Sequence, residues 1–339
     1  MKQRGLFLLF LVVSIYFLKK GNTPSETPIL HISGIQMGMV YHISVVTPSP
    51  EENRSKILEI VQNVFAEVDT LYNNWNPNSE ISRLNQWPAH LPFPLSQKLH
   101  AFLQKIDPLV RWSEGLFDPT IGPLKAFWIE ALQRGTLPVE EEIEAMRPYI
   151  GWEKLLFQGK TVTKQDSRTQ LDLGGVAKGF CVDLCTDVLL SSGFRDILVE
   201  WGGEIRGSGQ HPSGRAWRVC IVPPPNFLEA KNLLEVEIID TALATSGNYL
   251  QKWKAEGKWF THILHPKTLQ AVEITDQSIS SSTLQAPDCL TADALSKIFL
   301  LFPDYSQAAF WLETHPDIPL KSWLMGNTLS FNSNTFNSN

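Results

Sequence analysis

Residues 171–184 read LDLGGVAKGFCVDL. Asp172 interrupts a short apolar run, two glycines follow, and from Val176 to Leu190 apolar residues recur at the spacing of a helix face. Gly174 and Gly175 therefore fall at a helix N-terminus. There, unpaired amides and the helix dipole favour an anion such as phosphate, and bare backbone allows close approach. A tight strand-to-helix turn that needs positive φ leaves the same trace. The stretch is neither a Walker loop nor GxGxxG, so its letters alone do not choose between the two.

The surrounding chain reads as strands and helices in irregular order. GMVYHISVV (38–46) alternates like a strand, and residues 51–75 carry Ile57, Ile60, Val61, Val64, Phe65, Val68 and Leu71 at helical spacing, the stripe of a core-facing helix. A region rich in proline and tryptophan follows and reads as loops, with NPNSEISRLN (76–85) and SEGLFDPTIGPL (113–124) inside it. After the glycine pair come RDILVEWGGEIRGSG (195–209), AWRVCIVPP (216–224), LEVEIIDTALATSG (234–247) and QSISSSTLQA (277–286), all strand-like, and LTADALSKIFLLF (290–302) as a final helix. This order lacks the regular alternation of a Rossmann sheet and predicts an α+β fold.

With 339 residues, 43% hydrophobic and 19% charged, the chain has ample material for a large core. A formal net charge of −6, with no cluster of Lys and Arg, argues against a nucleic-acid partner. The N-terminus stands apart. Lys2 and Arg4 precede the apolar run LFLLFLVVSIYFL (6–18), which is followed by Lys19 and Lys20. That is the layout of a secretory signal, so residues 1–20 read as a signal peptide or an uncleaved membrane anchor, and the protein as exported, periplasmic or facing the periplasm from the inner membrane. No cysteine follows the run, so lipidation is not expected. Cys181, Cys185, Cys220 and Cys289 lack zinc spacing and read as buried free thiols. The polar end, 326–339, reads as disordered.

Chemistry-bearing residues sit in similar apolar settings elsewhere. Asp118 lies among apolar residues, prolines and a glycine; THILHP (261–266) places His262 and His265 at the end of an apolar strand; Asp293 opens the last helix inside TADALS. The set is rich in oxygen donors, which suits Mg²⁺ better than zinc. Each residue also has an ordinary structural reading, as turn former, core histidine or dipole partner.

Together GIQMGMVYHISV, NPNSEISRLN, SEGLFDPTIGPL, LDLGGVAKGF, VEWGGEIRGSG, ALATSGNY, THILHP and ADALS resemble, in order and spacing, the ApbE-type FAD:protein FMN transferases, over about residues 30–325. The resemblance implies an ApbE/T-fold-like single catalytic domain of mixed, mostly antiparallel sheets with packed helices. It implies an exported enzyme that uses FAD and Mg²⁺ to place FMN on a threonine hydroxyl of an acceptor protein, releasing AMP. The usual acceptors are subunits of Nqr- or Rnf-type redox complexes. By the same resemblance Met37, Trp75, Leu116, Phe117, Asp118, Asp172, Lys178 and Leu264 would contact FAD. Gly175, through its carbonyl, together with Asp293 and Ser296 would hold the metal, with Asp293 also catalytic, and His262 would act as base toward the threonine.

Two positions depart from the family pattern. Lys297 stands beside Ser296 where a hydroxyl or acidic ligand is usual; a lysine cannot bind magnesium, though its ammonium can pair with a phosphate. His265 replaces a frequent aspartate. If water replaced threonine, the same site would be an FAD pyrophosphatase; without turnover it would be an extracytoplasmic FAD-binding protein.

Overall fold

The computed structural model describes residues 27–224 and 234–326, and the backbone of 332–335. The apolar run at 6–18 lies outside these residues. Among them no helix is long and apolar enough to cross a membrane.

The chain opens with a hairpin, β1 (Ile29–Gln36) and β2 (Met39–Val46), and a long helix, α1 (Pro50–Leu71). The region expected to be loops instead holds α2 (Glu80–Gln86), the two-residue β3 (Phe93–Pro94), α3 (Gln97–Trp112) and α4 (Gly122–Gln133). Prolines here sit within helices: Pro108 lies inside α3, and Pro123 lies in the first turn of α4, where a missing N–H costs nothing. Then come α5 (Glu140–Glu144), β4 (Leu155–Gln158), β5 (Thr161–Lys164) and α6 (Ala177–Ser191). The strands β6 (Ile197–Trp201), β7 (Glu204–Ser208), β8 (Trp217–Ile221), β9 (Leu234–Ile238), β10 (Thr241–Gly247), β11 (Lys252–Ala255), β12 (Lys258–Leu264), β13 (Ala271–Glu273) and β14 (Ile279–Ala286) follow.

The last part also differs from expectation. α7 (Cys289–Ser296) is not the final helix: α8 (Tyr305–Thr314) and β15 (Lys321–Gly326) come after it, and residues expected to be disordered form the short strand β16 (Asn332–Thr335) against β15. Nor does Asp293 open α7. Asp288 caps it by accepting from the Thr291 amide at 2.8 Å, and Asp293 lies a turn further in, fully buried.

One sheet of eight strands, in the order β1-β2-β6-β7-β10-β14-β15-β16, organises the fold, and each of its pairings is antiparallel. Period-two alternation gives it two buried faces. Ile197, Val199, Trp201, Ala242 and Ala244 face the main core, shared with α1, α6 and α7. Leu198, Ile205 and Leu243 face the opposite way, onto the β8–β9 hairpin through Trp217, Val219 and Ile238. A smaller sheet, β11-β12-β13, packs Phe260 and Leu264 against Leu124 and Trp128 of α4. The described residues thus form an α+β fold in which α6, α7 and the end of β12 converge.

Candidate functional site

The segment leading into the glycine pair is clamped by two asparagines. Asn85 accepts from the Leu171 amide at 2.7 Å, Asn74 accepts from the Leu173 amide at 2.8 Å, and both donate to the Leu171 carbonyl. Asp172 is thereby held at the turn, where one carboxylate oxygen accepts from the Gly174 amide at 2.8 Å and the other from Lys125 at 2.8 Å. Burial alone would raise this acid; Lys125, the Gly174 amide and Lys297 outweigh it and hold the carboxyl below its usual range. Residues 173–175 form a single 3₁₀ turn before α6, and neither glycine has positive φ. The turn reading that required left-handed backbone therefore fails, and close approach remains. A β-carbon on Gly175 would stand 3.2 Å from Cε of Lys297 and 3.8 Å from the Phe117 ring.

The next helical turn fixes α7. A β-carbon on Gly179 would fall 2.3 Å from the Cys289 carbonyl, so only glycine lets α6 and α7 cross so closely. At that crossing the Gly179 amide donates to Asp293 at 3.0 Å. The other Asp293 oxygen takes the Lys297 ammonium, which also donates to the Asp293 carbonyl at 2.7 Å. Lys178, in the first turn of α6, pairs with buried Glu204 of β7. Burial pushes the Glu204 carboxyl up to about 7 in spite of Lys178, with Asp293 adding to the rise. Glu200, across the hairpin, also reaches about 7, mainly through burial, while the Gly203 amide, donating at 2.7 Å, opposes the rise.

His262 closes the arrangement from β12. Its Nδ1 is buried with no hydrogen-bond partner among the described residues. Burial first, then the charges of Lys125 and Lys297, push its pKa down to about 4, although Gln251 and Asp172 pull the other way. The ring is a neutral imidazole at ordinary pH, within reach of the charges of Lys125 and Lys297.

The remaining sequence candidates occupy varied surroundings. Phe117 borders Gly175, and Leu116 is half-buried against the core. The carboxylate of Asp118 is engaged by the Thr120 amide and hydroxyl at 2.8 and 2.7 Å and by the Trp152 amide at 3.0 Å. Met37 sits at the β1–β2 turn with φ 48°, and Trp75 stands 90% exposed beside the clamping Asn74. Leu264 is buried in the cluster around α4. Ser296 is fully buried, and its hydroxyl is shared between Ser246 at 2.7 Å and the Asp293 carbonyl at 3.0 Å. His265 accepts from the amides of Lys267 and Thr268 and so shapes its own turn. All four cysteines are free, and three of them are buried.

The ApbE family model matches residues 37–319. The chain belongs to the ApbE family. A FAD:protein FMN transferase of Chlamydia pneumoniae is 40% identical over 286 residues, covering 84% of this chain and 88% of that protein. A FAD:protein FMN transferase of Vibrio cholerae is 32% identical over 85% of each chain. The crystal structure of the Pseudomonas stutzeri flavinyl transferase ApbE in its apo form superposes with a TM-score of 0.79 at 24% identity, covering 92% of this chain and 96% of that one. The flavin transferase ApbE from Vibrio cholerae gives 0.74 at 28%, covering 91% and 97%. Within this ApbE fold several residues surround the sequence candidates although the sequence did not single them out. Lys125, Glu200, Glu204, Asn74 and Asn85 are ordinary surface types in isolation, and only the folded chain brings them together.

Proposed function

We propose that this ApbE protein takes FAD as substrate and transfers FMN to a threonine hydroxyl of an acceptor protein, releasing AMP. The observation that carries the reading is the neutral, partner-free nitrogen of His262 beside two lysines at the start of α6. An imidazole kept unprotonated suits a general base, and fixed ammonium groups suit a diphosphate. The threonine oxygen bonds to the FMN phosphorus as its proton passes to His262. The bond from that phosphorus to the bridging oxygen breaks, and its electron pair leaves on AMP. Lys125 and Lys297, each oriented by a carboxylate, offset the charge that builds on the phosphates.

Magnesium, which the resemblance implied, does not fit the donors as they stand. Asp293, the central carboxylate, is already bound on one oxygen by Lys297 and on the other by the Gly179 amide. The Ser296 hydroxyl is committed to Ser246 and to the Asp293 carbonyl. Among the described residues no group of three or more His, Cys, Asp or Glu side chains is placed to hold a metal. A divalent ion ~4 Å from the Lys297 ammonium would meet a repulsion of about 8 kcal/mol at an effective dielectric constant of ~20. No step is therefore routed through a metal.

The N-terminal run LFLLFLVVSIYFL supports export, with the acceptor a membrane redox subunit of the Nqr or Rnf type. Incubating the protein with FAD and a threonine-bearing acceptor fragment tests the reading. Flavin fluorescence on the denatured acceptor, with AMP in solution, is the expected result. AMP without labelling would favour a pyrophosphatase, and neither product would favour a flavin carrier.

A further inference from the structure

We infer that the Lys297 ammonium is this chain's built-in substitute for the divalent cation, neutralising the substrate's diphosphate without Mg²⁺. The inference rests on the flavin-transfer reading and names how that site is charged.

Two contacts and the reach of its charge place the ammonium where a cation would sit. First, Lys297 lies one turn beyond Asp293 and donates both to its carboxylate and, at 2.7 Å, to its main-chain carbonyl, so a single residue grips the cation with two oxygens. Second, the lysine stem runs over Gly175: a β-carbon there would come within 3.2 Å of Cε and 3.3 Å of Cδ. Glycine at 175 and lysine at 297 thus fit as a pair, the bare backbone giving the stem its path into the site. Third, the charge of Lys297 is felt by Asp172, Glu204 and His262, which come from three separate parts of the chain. The ammonium is a central charge of the cluster.

An ammonium has three donors. Two are held by Asp293, which fixes the group, and the third remains to meet a phosphate oxygen. Because the charge is covalently tethered, its presence does not depend on ion concentration, and it keeps a divalent ion off Asp293 by like-charge repulsion.

Metal binding and flavin binding test this separately. Mn²⁺, followed by electron paramagnetic resonance, is titrated into the full chain, with and without FAD. The wild type is expected to leave the Mn²⁺ signal free, Lys297→Thr to bind one ion per chain, and Lys297→Arg to behave like the wild type. Flavin fluorescence gives the second readout. FAD affinity of the wild type should be the same in EDTA as in millimolar Mg²⁺, whereas Lys297→Met should bind FAD about 10- to 100-fold more weakly, as expected for loss of a charged hydrogen bond. Stoichiometric Mn²⁺ on the wild type, equal Mn²⁺ behaviour of wild type and Lys297→Thr, or loss of wild-type FAD affinity in EDTA would each overturn the inference. Failure of every variant to bind FAD strikes the flavin-transfer reading instead, and the Mn²⁺ titration still decides the role of Lys297.

Discussion

His262 shows how burial and charge set one residue's chemistry. Its folded pKa of about 4 lies below the ordinary histidine value of 6.5, so the base form survives well into acid. The acid limb of transfer is therefore expected near pH 4 rather than near 6.5, measured as kcat/KM against pH, which reports groups of the free enzyme. Replacing His262 by Ala should slow transfer by about 10²- to 10⁴-fold, the usual worth of a positioned base, and leave FAD affinity nearly unchanged. A parallel loss of both would assign the ring to binding. Asp293→Asn removes the anion that holds Lys297 and leaves a half-buried ammonium unpaired, an expected cost of about 3–5 kcal/mol in denaturant unfolding. This scale was only partly legible from the chain. Asp293 and His262 stand in apolar surroundings that mark them out, but Asp172 and its partner Lys125 are 47 residues apart, and Lys178 and Glu204 are 26 apart. Nothing in local spacing announces those pairs.

At the scale of elements, the crossing of α6 and α7 sets the geometry of the site. Asp183 of α6 accepts from the Cys289 and Leu290 amides at 2.9 and 2.8 Å, so one helix satisfies the first turn of the other. Gly179→Ala would drive a methyl into the Cys289 carbonyl, which as backbone cannot swing aside. The expected cost is about 1–3 kcal/mol or more, seen as a lowered melting temperature together with weaker FAD binding, because Asp293 moves with α7. An unchanged melting temperature would mean that the helices pack less tightly than described. Periodicity made α1, α6 and β2 readable, since each buries apolar residues against a large core; β1 and its pairing with β2 emerge only in the fold. Periodicity failed in the proline- and tryptophan-rich region that holds α3, with Pro108 inside it, and α4, and where Asp288 rather than Asp293 supplies the cap of α7.

For the whole molecule, buried carboxyls make stability depend on pH. Glu200 and Glu204 have folded values of about 7 against 4.5 for an ordinary glutamate. A raised acid favours the fold below its unfolded pKa, and that contribution is lost as pH rises from about 4.5 through about 7. Glu200→Gln, which keeps an acceptor for the Gly203 amide, should therefore gain stability on the wild type between pH 5 and pH 8, read from melting temperatures across that range. A constant difference would show that Glu200 titrates normally. The α+β class was legible from the irregular order of strands and helices. The eight-stranded order was not, because β2 with β6, β7 with β10 and β10 with β14 pair across long intervals of sequence.

The most direct test is a crystal structure of this chain with FAD. The diphosphate should lie in contact with the Lys297 ammonium at the start of α6, with the ribityl phosphorus open to a hydroxyl beside His262. FAD bound away from Lys297 and α6, or Lys297 displaced from Asp293 by a metal ion, would contradict it.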